Sequence, residues 1–217
     1  MLNRKETAWK KSRKFGDIKG GRTKPKIVDG IFNRMHDFLP PSEGQELPIK
    51  IMDNPSRDFF FPATMDEVME TLRKLPKSHT ENLTHIWLRK FKKSDYESHR
   101  TVQGSFICGS GVNLIVLYPF PIDLKMKFGK RKPSKKRLKL YAPFTTDLKE
   151  DKQGWFLLWT KSSIKNYFLN SLLLHEVGHH LDSYYQRYWS SSYTRKAENF
   201  ANNYAISWSN SKAEVYE

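Results

Sequence analysis

The chain has 217 residues, a formal net charge of +15, 38% hydrophobic residues and a single cysteine, Cys108. This length and composition suffice for one buried core, so we expect one domain with an arm, and the lone cysteine excludes an internal disulfide. The sequence contains no apolar run of 18 residues and no apolar N-terminal leader. These absences favour a soluble, cytoplasmic protein without a membrane partner.

The first 26 residues are strongly basic. Ten lysines or arginines stand there against two acidic residues, a local charge of +8, with glycines at positions 16, 20 and 21. We therefore predict a flexible basic arm over residues 1–26 and one folded domain over residues 27–217. Apolar residues recur at helical spacing over 27–39 and are followed by Pro40 and Pro41, so the domain is predicted to begin with a helix.

The middle of the chain carries one helix signal and several strand signals. Thr64 and Glu67 have the spacing of a capping box, which predicts a short helix that ends before Pro76. Runs rich in β-branched and aromatic residues predict strands at 47–52, 83–91, 101–108, 112–118, 137–142 and 155–160. Together with two later helices they indicate an α+β fold. The last of these strands, 155–160, lies immediately before the first of the two later helices. Since extended peptides often bind by pairing with a sheet edge, we predict that this strand lies near a substrate-binding edge.

A second basic segment covers residues 125–139, from Lys125 to Lys139. Nine of its fifteen residues are lysine or arginine, interrupted by Gly129 and Pro133. The pattern indicates a loop or hairpin tip, and with the arm it is a candidate surface for DNA or RNA. Solvated surface charge that maintains solubility is an equally good explanation, since no base-reading motif accompanies the lysines.

The most specific chemical pattern is an HExxH motif formed by His175, Glu176 and His179 in an apolar context. Residues four apart lie on one face of a helix, so the two histidines can reach one metal ion. Glu176 emerges beside them, where it can act as a general base. This combination is typical of zinc-dependent hydrolases.

Apolar spacing around the motif predicts a helix that begins after Ser162 or Ser163 as N-cap and reaches about Tyr185. The adjacent His180 is turned by about 100° around this helix relative to His179. We therefore predict that His180 packs or supports the site and does not bind the metal.

Zinc requires a third protein ligand, and no histidine or cysteine occurs after position 180. Asp182 lies about 10 Å beyond His175 along the same helix, too far to complete a tetrahedron. The glutamates at 214 and 217 lie in a segment expected to fray. Glu198 is the remaining donor, in a stretch with small residues at helical spacing. Asn202, one turn later, is either a residue that orients a ligand or a surface amide.

These residues carry a resemblance to a known class of metallopeptidases. Eighteen residues separate the HExxH motif from the pattern Glu198-x-x-Ala201-Asn202-x-Tyr204-Ala205. The combination resembles the gluzincins, and in particular the ExxANxFA form of the ImmA/IrrE family, over about residues 163–208. The apolar ending common in that family after this pattern is absent, and the first 160 residues contain no helix-turn-helix motif.

The resemblance implies a zincin-like core, in which a mostly antiparallel or mixed sheet packs on the HExxH helix and a C-terminal helix carries the glutamate. It also implies that His175, His179 and Glu198 bind Zn²⁺, and that Glu176 accepts a proton from a metal-activated water. The longer metzincin motif does not fit, since it would require glycine at position 182 and histidine at position 185.

The expected function is zinc-dependent hydrolysis of peptide bonds in a protein or peptide substrate, and the resemblance suggests a DNA-associated protein such as a repressor. Tyr184, Tyr185 and Tyr193 are candidate stabilisers of the oxyanion. Another class stays open, namely a basic nucleic-acid-binding protein whose zinc site is structural or inactive. A toxin or defence protein with a host target is a third alternative.

Overall fold

The computed structural model describes residues 38–91, 102–109, 111–184 and 194–210. Its strands are β1 Ile49–Met52, β2 Phe59–Phe60, β3 His85–Leu88, β4 Gly104–Gly109, β5 Val112–Leu117, β6 Phe120–Pro121, β7 Lys125–Gly129, β8 Leu148–Asp151 and β9 Gly154–Leu158. Its helical elements are α1 Met65–Arg73, α2 Lys77–Thr80, α3 Lys135–Lys139, α4 Lys161–Tyr167, a π-helical turn Phe168–Leu172, α5 Leu173–Tyr184 and α6 Thr194–Asn210. The predicted arm, residues 27–37 of the predicted first helix, and Tyr185 and Tyr193 lie outside the described residues.

The main sheet has four strands in the order β1-β3-β5-β4. Strands β1, β3 and β5 are parallel, whereas β4 is antiparallel to β5 and lies at one edge. In β5, Leu114, Ile115, Val116 and Leu117 are all fully buried. A run of consecutive apolar residues is expected for a strand that is covered on both faces.

One long helical stretch, from α4 through the π-helical turn to α5, packs on this sheet. Leu173, Leu174 and Val177 on this stretch join Ile115 and Leu117 of β5 in the main hydrophobic core. Helix α6 packs against α5. The predicted α+β class is therefore confirmed.

Local capping determines where several helices begin. The predicted capping box is present, since the Glu67 N–H donates to Thr64 Oγ1 (3.3 Å) and the Thr64 N–H donates to the Glu67 carboxylate (3.0 Å). The predicted cap of the long helical stretch is wrong by two or three residues. Thr160 is the N-cap, and Ser163 closes a capping box with it.

The predicted strand at 137–142 is wrong, because residues 135–139 form helix α3. Its N-cap is Ser134, whose hydroxyl accepts a hydrogen bond from the Arg137 N–H at 3.3 Å. Lysine, arginine and leucine favour helices, and the serine cap satisfies the first turn. The other predicted strands are present with shifted ends, and residue 101 lies outside the described residues.

A second, three-stranded antiparallel sheet has the order β7-β9-β8. Met126 of β7 and Leu157 of β9 are paired in register and contribute to the main core. Residues 125–139, predicted as a loop or hairpin tip, thus form an edge strand followed by a short helix. Among the described residues, no helix combines the length and apolar character that crossing a bilayer requires.

Candidate metal centre

The two motif histidines lie one turn apart on α5 and approach each other closely. The Nε2 atoms of His175 and His179 are 3.0 Å apart, and the two rings meet edge to face. The side chains are mostly buried, with exposed fractions of 19% and 9%. Helical spacing therefore does bring both imidazoles to one point, as the motif predicts.

Glu198 on α6 reaches the same point. Its carboxylate oxygens lie 3.6 Å from His175 Nε2 and 3.5 Å from His179 Nε2. The three residues form the one cluster of potential metal-binding side chains identified in the described part of the chain, and their ligand atoms all lie within 4.8 Å of one another. The structure thus brings together the three residues predicted as ligands from the sequence.

This donor set fits a zinc ion. Ligand atoms at about 2.0–2.2 Å from a tetrahedral zinc lie about 3.3–3.5 Å from one another. The separations here are 3.0, 3.5 and 3.6 Å, so small side-chain adjustments suffice. Two imidazoles and one carboxylate are also the ligands of a known class of catalytic zinc sites that retains one open position.

Glu198 can approach the histidines because α5 and α6 pack at close range. A Cβ atom on Gly178 would lie 2.7 Å from the Cα atom of Ala201 and 3.2 Å from its carbonyl oxygen. Ala197, Ala201 and Ala205 are buried along the facing side of α6. The small residues noticed in the sequence are therefore those that permit the contact.

We expect Gly178→Ala to lower the free energy of unfolding by up to about 2 kcal/mol. Alanine favours a helix over glycine by about 1 kcal/mol, but overpacking of a tight contact costs about 1–3 kcal/mol. Denaturant unfolding in zinc-free buffer measures the effect, with Asn203→Ala on the exposed side of α6 as a control for helix propensity. A Gly178→Ala protein more stable than the wild type would show that the helices separate without cost.

The charges of the ligands depend on one another. Burial, assisted by the nearby His179, lowers the pKa of His175 to about 4, which favours the neutral, metal-binding form. Burial also acts to lower the pKa of His179, but hydrogen bonding and attraction to Glu198 raise it above its usual value. In turn, the hydrogen bond from His179 lowers the pKa of Glu198. Both shifts favour the charged forms of His179 and Glu198, whose Nε2 and Oε1 atoms lie 3.5 Å apart.

Glu176 lies beside the ligands and is 4% exposed. Burial raises the pKa of its carboxyl group to about 8, although a hydrogen bond from the backbone of Phe106 acts in the opposite direction. Its Oε1 is held against β4, because a Cβ atom on Gly104 would lie 2.7 Å from it. A carboxyl group with this pKa can both accept and release a proton near neutral pH.

An open cavity of about 360 Å³ gives access to these groups. The residues that line it are Gln103, Gly104, Ser105, Phe106, Leu172, His175, Glu176, His179 and Glu198. One wall is therefore the edge strand β4. The predicted placement of 155–160 at a substrate-binding edge is wrong, because β9 is the central strand of the second sheet.

Asn202 and His180 each make a contact that fits a role in supporting the site. The side chain of Asn202 hydrogen-bonds to His175, which favours the orienting role over that of a surface amide. His180 is fully buried, and its Nε2 lies 2.8 Å from the Glu81 carbonyl oxygen. His180 therefore anchors α5 to the chain after α2 and lies outside the ligand cluster.

Gln103 is a residue that the sequence pattern did not indicate. It lines the cavity, and its side-chain oxygen accepts a hydrogen bond of 2.6 Å from the hydroxyl of Tyr167, which is 8% exposed. That bond leaves the amide N–H groups of Gln103 as donors near the site. No local motif marks this pair, because the two residues are 64 positions apart in the chain.

The tyrosines proposed as oxyanion stabilisers, Tyr185 and Tyr193, lie outside the described residues, and the side chain of Tyr184 does so too. Comparisons of the chain with protein-family models, with curated proteins and with solved structures give no match. The function must therefore be inferred from the residues of the site.

Proposed function

We propose that this protein is a zinc-dependent endopeptidase of the gluzincin type. The observation that carries the proposal is the position of a buried carboxyl group, Glu176, beside a group of two histidines and one glutamate that opens into a cavity. A structural zinc site is normally closed by four protein ligands, whereas a catalytic site retains an open position. The cavity beside this three-ligand group favours the catalytic alternative.

When bound, zinc would lower the pKa of a water molecule and polarise the scissile carbonyl group. His175, His179 and Glu198 would hold the ion, and Asn202 would orient the His175 ring. Glu176 would accept the proton of the attacking water and pass it to the leaving amine. The Gln103 amide N–H groups are candidates to orient a carbonyl group of the substrate.

The edge strand β4 supplies a place for the substrate. It pairs with β5 on one side and borders the cavity with residues 104–106. An extended peptide can add to such an edge through backbone hydrogen bonds, which do not depend on sequence. Selectivity would then depend on the side-chain positions around the cavity. A DNA-associated protein such as a repressor remains the substrate that the family resemblance suggests.

Removal of the metal is expected to abolish peptide hydrolysis reversibly. Purified full-length protein should cleave members of a mixture of unstructured decapeptides, detected by mass spectrometry. The chelator 1,10-phenanthroline should stop cleavage and added Zn²⁺ should restore it, because protein ligands alone do not activate water. The isomer 1,7-phenanthroline, which does not chelate, is the control. Protein that carries one zinc per chain and cleaves neither these peptides nor unfolded proteins would contradict the proposal.

A basic nucleic-acid-binding protein with a structural or inactive zinc site is the second candidate. It is favoured by one observation, the concentration of positive charge on the second sheet. Substitution of Glu176 discriminates between the two candidates. It should remove the hydrolytic activity of a peptidase, whereas nucleic-acid binding does not depend on a general base and should stay unchanged.

A further inference from the structure

We propose that the second sheet binds the sugar–phosphate backbone of a nucleic-acid duplex without base specificity. We call residues 125–153, which comprise β7, α3, β8 and the turns between them, the basic segment. This inference is independent of the proposed peptidase activity, because none of its cations belongs to the metal cluster.

The basic segment concentrates the charge of the chain. It has eleven lysines or arginines and three acidic residues, a local charge of +8 out of a total of +15, in about an eighth of the chain. Charge that served only to keep the protein dissolved would not need this concentration. A focused positive field is what attracts a polyanion such as DNA.

Most of these cations are not neutralised. The ion pairs of the basic segment are Lys149 with Asp147 at 3.0 Å and Lys125 with Asp151 at 3.4 Å, both partly exposed. Within the described residues, the other nine cations make no ion pair. Eight of these nine are exposed: Lys130, Arg131, Lys132, Lys135, Lys136, Arg137, Lys139 and Lys152.

Aromatic rings hold three of the cations in place without cancelling their charge. Lys132 Nζ lies 4.6 Å from the centre of the Trp155 ring and Lys125 Nζ lies 4.3 Å from that of Phe156. Arg137 lies in the same way over Phe128 at 4.8 Å. Each such contact contributes about 0.5–1 kcal/mol at an exposed site and orders a long side chain.

The same contacts favour a duplex over a single strand. Proteins that bind single strands stack unpaired bases on open aromatic faces. Here one face of each ring is already occupied by a lysine or arginine of the protein, and Phe156 is 7% exposed. The surface therefore offers cations rather than stacking platforms. Cations without stacking platforms suit the regular array of phosphates along a duplex.

The backbone beneath these cations is closely packed. A Cβ atom on Gly154 would lie 2.3 Å from the carbonyl oxygen of Gly129, so the end of β7 and the start of β9 are in direct contact. Helix α3 has no buried side chain, and the capping hydroxyl of Ser134 supports its start. Leu138 is partly buried and packs against the main core, which leaves Lys135, Lys136 and Lys139 displayed on the exposed side of α3.

Fluorescence anisotropy with a labelled 20-base-pair DNA duplex tests the inference on the full chain between 50 and 300 mM NaCl. The variant replaces Lys130, Lys135, Lys136 and Lys139 by Gln, since these side chains make no hydrogen bond, ion pair or ring contact with the residues that the structure describes. A matched control replaces Lys50, Lys77, Lys90 and Lys161, four exposed lysines elsewhere, by Gln. Both variants lose four positive charges and keep the N-terminal residues. Any difference in their DNA affinity therefore depends on where in the protein the lost lysines lie.

We expect the variant to raise the Kd at 100 mM NaCl at least tenfold and the control to change it less than twofold. The slope of log K against log salt should become shallower by about 3.6, because each of the four lost phosphate contacts contributes about 0.9. Equal effects of both variants, or no binding at 50 mM NaCl, would overturn the inference. So would tighter binding of a single strand, or equal competition by poly-glutamate, which would indicate an acidic protein partner. An unchanged circular dichroism spectrum and retained zinc binding would verify that both variants are folded.

Discussion

Glu176→Gln is expected to reduce peptide hydrolysis by about 10²–10⁴-fold while zinc stays bound. The amide has nearly the shape of the carboxyl group, so it fits against Gly104 and can still accept the hydrogen bond from the Phe106 backbone. It cannot accept a proton at neutral pH. The loss should therefore appear in kcat, with little change in KM.

Decapeptide cleavage and zinc analysis on the same preparation measure this effect. Glu150→Gln makes the same chemical change at an exposed glutamate on β8, far from the ligand cluster, and should retain activity. Glu176→Gln protein that retains both zinc and full activity would exclude Glu176 as the base. Complete loss of zinc in this variant would instead assign Glu176 to metal binding.

Glu198→Ala is expected to weaken zinc binding by more than about 100-fold, because removal of a residue that only orients a ligand already costs about 10–100-fold. The wild type should contain about one zinc per chain by elemental analysis. The carboxylate of Glu198 lies within 3.6 Å of both histidine Nε2 atoms, and its loss leaves two ligands. Two imidazoles alone do not hold zinc tightly.

Asn202→Ala provides a graded comparison, because it removes a hydrogen bond to His175 and no ligand. Its zinc affinity should lie between those of the wild type and Glu198→Ala. Wild-type protein that takes up no zinc even after reconstitution would reduce the HExxH motif to an ordinary helical sequence. Unchanged zinc content in Glu198→Ala would place the third ligand elsewhere in the chain.

The two histidines and Glu176 could be placed from the sequence because helical periodicity is a local property. His175 and His179 share a helix face whatever else the chain does. Glu198 required a further argument, the chemistry of zinc and the exclusion of other donors. The structure brings its carboxylate to the same point, whereas the identity and presence of the metal remain predictions.

The second sheet shows where local patterns were not sufficient. The local pattern predicts a loop or hairpin tip at 125–139 and a strand at 137–142. In the structure β7 pairs with β9 across a separation of about thirty residues, and Ser134 starts a helix. Strand pairing is decided by distant partners, and lysine-rich strands lack the β-branched residues that would mark them.

The sequence by itself determined the chemistry of the proposed metal centre, because ligand type, helical spacing and small residues are local and additive signals. Only the tertiary structure decided which strand borders the cavity, that Gln103 is held there by Tyr167, and that three cations of the basic segment lie over aromatic rings. These features join residues far apart in the chain, and their positions follow from packing of the whole core.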